Sequence, residues 1–327
     1  MIETNHPTRL DEWYSPFTGV DASRLPAGLH EIIRCPQCDG GLEALDFEMR
    51  CMECDSRYAS SSHQIDLRPK RPRAVNCTFM IENPVAAIDL PVLGIPFAPG
   101  ADPAEQNFPE PLAYGNGLTP QLVSWFPKIA GGRLLDLGCG TRRTETVTTR
   151  TGATYVGLDI MGEAPHVLGR GEILPFVDDS FDFVLSMAVF PHTTYPDLAV
   201  REAYRVLRPG CLLIGTAQFI EACFMTSRHH VTAFGVLDWL HGAGFEIVHM
   251  EPNDLNWDGG QALIGMQYLA PIVSGRRRRV ARAALRGVMA FAGKRNPMNE
   301  LGWGQRYPEG FTGGFRFVAR KPASPGA

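Results

Sequence analysis

The sequence predicts an α/β protein, a mostly parallel sheet with helices on both faces, preceded by a small cysteine-bearing unit. Three observations carry that expectation. Short apolar runs recur at residues 134–137, 154–159 and 181–187, and helix-forming stretches alternate with them. The first run ends in LLDLGCG, residues 134–140, where a strand opens into a tight glycine loop that a ligand can approach closely. Ahead of all this stand four cysteines in two C-x-x-C pairs.

At 327 residues the chain has room for one large unit and one small one. Hydrophobic content of 44% and charged content of 20% are those of a soluble globular protein, and 31 basic against 35 acidic residues give no global attraction to nucleic acid. No apolar run approaches the ~18 residues needed to span a bilayer. The opening MIETNHPTRLDEWYSP lacks a charged-then-apolar signal pattern, so the expected compartment is cytoplasmic.

Taken in order, residues 1–30 have no sustained period and read as an irregular lead-in, with Trp13, Tyr14 and Phe17 as candidate anchors. Residues 31–70 hold Cys35, Cys38, Cys51 and Cys54, the two pairs separated by 12 residues. Each pair can bend through a knuckle so that four thiolates meet at one tetrahedral Zn2+. Disulfides suit a cytoplasmic compartment poorly, and an iron–sulfur or redox role has no supporting pattern. Four protein ligands leave no open position, so such a metal builds a fold and does not activate water. The run RPKRPR at residues 68–73 reads as a solvated connector ahead of a phosphate-binding patch. Through residues 71–117 prolines recur, which predicts an extended linker or packing segment.

Residues 118–327 then form the large unit. A short helix is expected near residues 118–129 with Pro120 at its start, and another over 144–150. Strands are expected near 154–159, 166–169, 181–187, 211–217 and 245–250. The intervening helices are expected at 197–207, closed by Arg208, Pro209 and Gly210, and around Phe234, Leu237 and Leu240, stopped by Gly242 and Gly244. A last strand is expected at 314–321. The insertion 251–313 is longer than a hairpin needs and suggests a lid or binding element. Within it, Arg276, Arg277, Arg278, Arg279, Arg282, Arg286, Lys294 and Arg295 occur without an acid, which as a helix gives one basic and one apolar face. An arginine face in water is one use of it; an anionic lipid, a phosphorylated substrate, RNA or a protein are others.

At the glycine loop a nucleotide-like cofactor is the first hypothesis. Asp159 ends the next strand, where a carboxylate can accept both ribose hydroxyls. A dinucleotide fingerprint would need glycine at Arg143, which argues against NAD.

Residues 133–140 (RLLDLGCG), 157–160 (GLDI), 169–187 and 201–210 (REAYRVLRPG) resemble, in order and spacing, the core motifs of class I S-adenosylmethionine-dependent methyltransferases. The resemblance covers about two-thirds of the chain, from near Leu118. It implies a Rossmann-like methyltransferase sheet with an antiparallel last strand and S-adenosylmethionine as cofactor. Asp136, Gly138 and Gly140 then line the methionine end, Asp159 holds the ribose, and Gly171 and Glu172 match the adenine side, with Cys139, a small packing residue of the loop, Ile160 and Ser186 also counted among the cofactor-binding residues. The family usually has glycine where this chain has Arg142, and commonly aspartate where it has Arg170. Residues 35–67 resemble the zinc-ribbon activator subunits of RNA and protein methyltransferases.

Methyl transfer from a sulfonium needs the acceptor held in line with the methyl group and water excluded, and a base only for acceptors such as alcohols. His192 matches a histidine frequent in the family after the strand 181–187 and is the candidate base, ahead of His229 and His230. Between Glu31 and Asp66 there are 3 basic and 8 acidic residues, a surface that phosphate backbones do not favour. The expected acceptor is therefore a small molecule, glycan or lipid-linked group. RNA ranks second and a non-catalytic binding or activator module third.

Overall fold

The computed structural model describes residues 24–75, 120–148, 151–219, 227–252 and 314–323. The lead-in to residue 23, the proline-rich stretch 76–119, the segment 253–313 with its arginine run, and the tail 324–327 lie outside the described residues.

A short helix α1 (Leu29–Ile32) precedes a three-stranded antiparallel sheet of β1 (Leu42–Ala44), β2 (Glu48–Cys51) and β3 (Arg57–Ala59), followed by the two-residue β4 (Ile65–Asp66). The large unit follows with helix α2 (Pro120–Ser124), β5 (Arg133–Leu137), α3 (Glu145–Thr148), β6 (Thr154–Asp159), β7 (Val167–Leu168), β8 (Phe181–Met187), α4 (Pro196–Val206), β9 (Leu207–Gln218), α5 (Ala233–Ala243), β10 (Glu246–Pro252) and β11 (Gly314–Arg320). Its eight-stranded sheet runs β10-β11-β9-β8-β5-β6-β7-β4. Strands β4 to β9 pair in parallel, whereas β11 pairs antiparallel with both β9 and β10, as expected for the last strand.

The central strands are apolar on both faces because both faces are covered. Leu134, Leu135 and Leu137 of β5 are buried, as is every residue of β8 except Asp182. On α4, Ala199, Val200, Ala203 and Val206 recur at helical spacing and are all fully buried. Pro196 starts that helix, where its missing N–H costs nothing. Arg208, Pro209 and Gly210 do not end the helix in a separate turn. They bulge within β9 between the pairs Phe181↔Leu207 and Phe183↔Leu212, which suits a proline without a donor and a glycine at φ 81°. In α5 the Thr232 side chain caps the start by accepting from Gly235 N at 3.2 Å, and Gly244 closes the end at φ 99°. Its buried residues are Val236, Leu237 and Leu240, while Phe234 is exposed, so the inward stripe is offset from the expected three-residue ladder.

The cysteine-bearing unit does not stand apart. Strand β4 adds to the sheet edge in parallel with β7, pairing Ile65 with Val167 and Asp66 with Leu168. Ile65 N donates to His166 O at 2.9 Å and Leu67 N to Leu168 O at 2.8 Å. Ile33 bridges Phe176, and Leu29, Ile32, Ile33, Tyr58, Ile65 and Leu67 join Val167, Leu174 and Phe176 in one apolar core.

Candidate cofactor site and candidate metal centre

Two knuckles bring the four cysteines together. Their Sγ atoms all lie within 4.8 Å of one another, with Cys35 to Cys54 at 3.7 Å and Cys38 to Cys51 at 3.5 Å. A tetrahedral centre with Zn–S near 2.3 Å has edges of about 3.8 Å, so the donor set and its size both fit Zn2+. The backbone N–H of Gln37 points at Cys35 Sγ, and those of Glu53 and Cys54 at Cys51 Sγ, each at 3.4 Å. Further hydrogen bonds orient the sulfurs: the buried Tyr58 hydroxyl lies 3.2 Å from Cys35 Sγ and the Ser56 hydroxyl 3.1 Å from Cys54 Sγ. Sulfurs so close do not ionise alike by themselves. Burial, then neighbouring sulfurs, pushes Cys38 up to about 12, while the hydrogen bonds from Ser56 draw Cys54 down to about 6.

At the C-terminal edge of the sheet, β5 ends in Leu137 and the chain turns through Gly138, Gly140 and Arg142 at φ 74°, 55° and 60°. A Cβ on Gly138 would sit 2.2 Å from Val189 Cγ2, and one on Gly140 would face open space. Gly138 is thus needed for packing as well as for its φ, and Gly140 leaves the loop's outer side accessible. Gly140 N donates to Asp159 Oδ2 at 2.9 Å, tying the loop to the end of β6. Asp159 Oδ1 accepts from Ile160 N at 2.7 Å and Met161 N at 3.4 Å. Burial raises the Asp159 carboxyl and these three amides oppose it, which keeps an acceptor in place beside an open loop. A polar cofactor with vicinal hydroxyls fits these groups.

Behind the loop lies a buried polar cluster. Asp136 Oδ2 accepts from the Tyr155 hydroxyl at 2.6 Å and from the Thr144 hydroxyl. Arg142, itself buried, grips Glu145 with Nε and Nη2 at 2.7 and 2.8 Å, and its guanidinium sits 5.7 Å from the centre of the Tyr155 ring. Burial pushes Asp136 up to about 6 despite the two hydroxyls.

The 3₁₀ turn Phe190–His192 follows β8 and brings His192 to the same edge, half buried. Burial lowers its imidazole, Asp159 opposes that shift, and His230 adds to it. Glu172 joins two of the loops here: its Oε1 accepts from Thr194 N at 2.8 Å and pairs with Arg170 at 3.1 Å. Gly171 packs beside Leu137, Thr193 and Ala199.

Of the residues singled out from the sequence, Gly138, Gly140, Asp159, Ile160, Gly171, Glu172 and His192 converge on this edge. Asp136 and Cys139 lie beneath it, with Cys139 Sγ against Gly157. Ser186 is fully buried in β8, and its hydroxyl has no hydrogen-bond partner among the described residues. Sequence inspection missed Tyr155, which looks like one more apolar strand residue, and the Arg142–Glu145 pair, whose only signal was opposite charge at three-residue spacing. It also missed what REAYRVLRPG does structurally. Glu202 accepts from Leu174 N at 2.7 Å, and Arg205 donates to Phe176 O and Leu174 O at 2.7 and 3.0 Å, so α4 holds the acidic loop ahead of β8.

A parallel sheet with a glycine loop tied to a carboxylate at the next strand end defines a Rossmann-like cofactor-binding fold. Within it, residues 135–215 match the family model described as a methyltransferase domain. The chain is similar to a ubiquinone biosynthesis O-methyltransferase of Pseudomonas entomophila, 29% identical over 113 residues, covering 28% of this chain and 48% of that protein. It is also similar to methyltransferase GfsG of Streptomyces halstedii, 32% identical over 120 residues, covering 31% of this chain and 43% of that protein. The match thus spans about half the length of these curated relatives or less. Among solved structures, one of a Haloferax volcanii Trm112 methyltransferase activator with a putative methyltransferase overlaps 62% of this chain and 87% of the matched chain, at 18% identity and a TM-score of 0.42. No helix among the described residues is long and apolar enough to cross a membrane.

Proposed function

We propose that this chain transfers a methyl group from S-adenosylmethionine to a small-molecule, glycan or lipid-linked acceptor, and that its four cysteines hold one structural Zn2+. The observation that carries the reading is the open Gly140 loop tied to Asp159, inside the segment that matches a methyltransferase domain. When bound, the cofactor supplies a methyl carbon on a positively charged sulfur; the carbon–sulfur bond breaks as the bond to the acceptor forms. Asp159 accepts hydrogen bonds from the ribose hydroxyls, and the loop at Gly138 and Gly140 leaves room for the methionine end. His192, whose burial favours the neutral imidazole, takes the proton from a hydroxyl acceptor. The relatives named for ubiquinone biosynthesis and O-methylation support an oxygen on a small molecule as the acceptor atom. The basic run from Arg276 to Arg295 supports an anionic group on the acceptor or on the surface that carries it. RNA ranks lower, because the cysteine-bearing unit is acidic.

Calorimetry with S-adenosylmethionine tests the cofactor. Asp159→Ala should weaken binding by roughly 1 to 3 kcal/mol through loss of hydrogen bonds to a charged group. Unchanged affinity in Asp159→Ala would move the ribose contact elsewhere, and no binding by the unaltered chain would favour a non-catalytic module. Methyl transfer assayed across pooled metabolites, lipids and total RNA then selects the acceptor class, and label in RNA alone would reverse the ranking.

A further inference from the structure

The segment after Asp159 is held at both ends. At its start, Ile160 N and Met161 N donate to Asp159 Oδ1. At its end, the hold comes from the cysteine-bearing unit: Gln64 Nε2 donates to Gly162 O at 3.1 Å and to Pro165 O at 2.8 Å. Two carbonyls facing one atom fix the orientation of the Gln64 amide, since only its nitrogen can donate. Arg68 adds a longer contact, Nη1 to Ile160 O at 3.4 Å, while Asp66 holds its guanidinium.

Gln64 is itself fixed from the metal side. Its backbone closes a turn with Ser61, Ser61 N donating to Gln64 O at 2.9 Å and Gln64 N to Ser61 Oγ at 3.1 Å. That turn follows β3, whose Tyr58 is buried with its hydroxyl 3.2 Å from Cys35 Sγ. Hydrogen bonds therefore join the sulfurs to Tyr58 and the Ser61 turn to the loop that presents Asp159 and Ile160, and the two sets are linked by the short run of chain from Tyr58 to Ser61.

We propose that Gln64 is a positioning residue for the cofactor loop, so that metal binding at the four cysteines and cofactor binding at Asp159 favour each other. The inference rests on the cofactor reading above. Gln64 lies beside the proposed cofactor residues and acts through the carbonyls of Gly162 and Pro165, which hold the loop in the form that binds. The coupling is reciprocal: a metal-loaded unit tightens the cofactor, and the cofactor slows metal loss by the same free energy.

The test uses the full chain loaded with zinc. Gln64→Met keeps length and bulk and removes both donors; S-adenosylmethionine affinity is measured by calorimetry, and melting temperature is measured without cofactor. Loss of up to two hydrogen bonds should weaken the cofactor roughly three- to tenfold. The melting temperature without cofactor should fall by no more than a few degrees, the cost of the same two hydrogen bonds at a partly buried residue. Gln64→Glu, which sets an acceptor against two carbonyls, should weaken the cofactor further. Saturating cofactor should slow zinc transfer to a chelator in the unaltered chain, and less so in Gln64→Met. Arg50→Gln breaks only the ion pair with Asp55 on the exposed side of the same unit and should change neither quantity. Cofactor affinity in Gln64→Met equal to that of the unaltered chain overturns the proposal, whether or not the melting temperature falls. Failure of the unaltered, zinc-loaded chain to bind cofactor instead sinks the reading of the glycine loop, and this inference with it.

Discussion

Asp136 shows how much of a single residue's surroundings its motif leaves unsaid. The structure gives its carboxylate a Tyr155 hydroxyl and a Thr144 hydroxyl and leaves it 1% exposed. A strand sequence does not reveal which residue of the neighbouring strand will face it, so this pairing was not legible. Burial raises the carboxyl from 3.8 to about 6, so between about pH 4 and 6 the folded chain holds a proton that the unfolded chain has released. Through that window the contribution of Asp136 to stability falls as pH rises. His166 works the other way: its Nδ1 accepts from Gly157 N at 3.1 Å, burial lowers it to about 3, and its contribution is lost as pH falls below the ordinary histidine range. The two partly cancel in the unaltered chain and separate in a variant. Asp136→Asn can still accept from both hydroxyls without a charge. Relative to the unaltered chain it should gain about 3 kcal/mol between pH 4 and pH 7, read from urea unfolding at a series of pH values. A difference that does not vary with pH would mean that Asp136 is not held protonated by burial.

Among the elements, those with local causes were legible and those with distant partners were not. The two C-x-x-C knuckles need only their own spacing, and the sulfurs do meet. Arg208, Pro209 and Gly210, expected to close α4, bulge within β9 because a neighbouring strand pairs on either side of them, whereas the stop of α5 at Gly244 followed from a local signal. By contrast β4 is two residues long and exists because β7 offers an open edge, a pairing across about a hundred residues that no period announces. Of the expected helix at 144–150 the described part runs Glu145–Thr148, residues 149–150 lying outside the described residues, and within it Thr148 Oγ1 also donates to Thr144 O at 3.1 Å. The cysteine element makes its own prediction. A four-thiolate site contributes its binding energy to folding, so elemental analysis should find about one zinc per chain. Cys51→Ser should lose the metal together with several kcal/mol of stability. A metal-free chain that stays folded with its melting temperature intact would remove zinc from the structure's account.

For the whole molecule the question is whether the small unit can unfold alone. The alternation of strands and helices made the large unit legible, but composition gave no sign that the small unit would share its core. Leu29, Ile32, Ile33, Ile65 and Leu67 are each buried to 5% exposure or less in a cluster that includes Val167, Leu174 and Phe176. At about 1.5 to 3 kcal/mol per side chain their burial is worth on the order of 10 kcal/mol as an upper bound. That is as large as the net stability of an ordinary domain. A three-stranded sheet with strands of three, four and three residues has little else to hold it once that contact is lost. The large unit loses as well, since without the small unit the short β7 becomes an open edge and Phe176, buried and bridged by Ile33, is uncovered. The zinc-loaded chain should therefore melt in one calorimetric transition, and a chelator should move that transition as a whole to lower temperature. Removal of residues 24–75 should yield an aggregating protein, not a stable core. Two transitions, the lower one alone responding to chelation, would show that the cysteine-bearing unit is an independent domain whose shared sheet edge adds little.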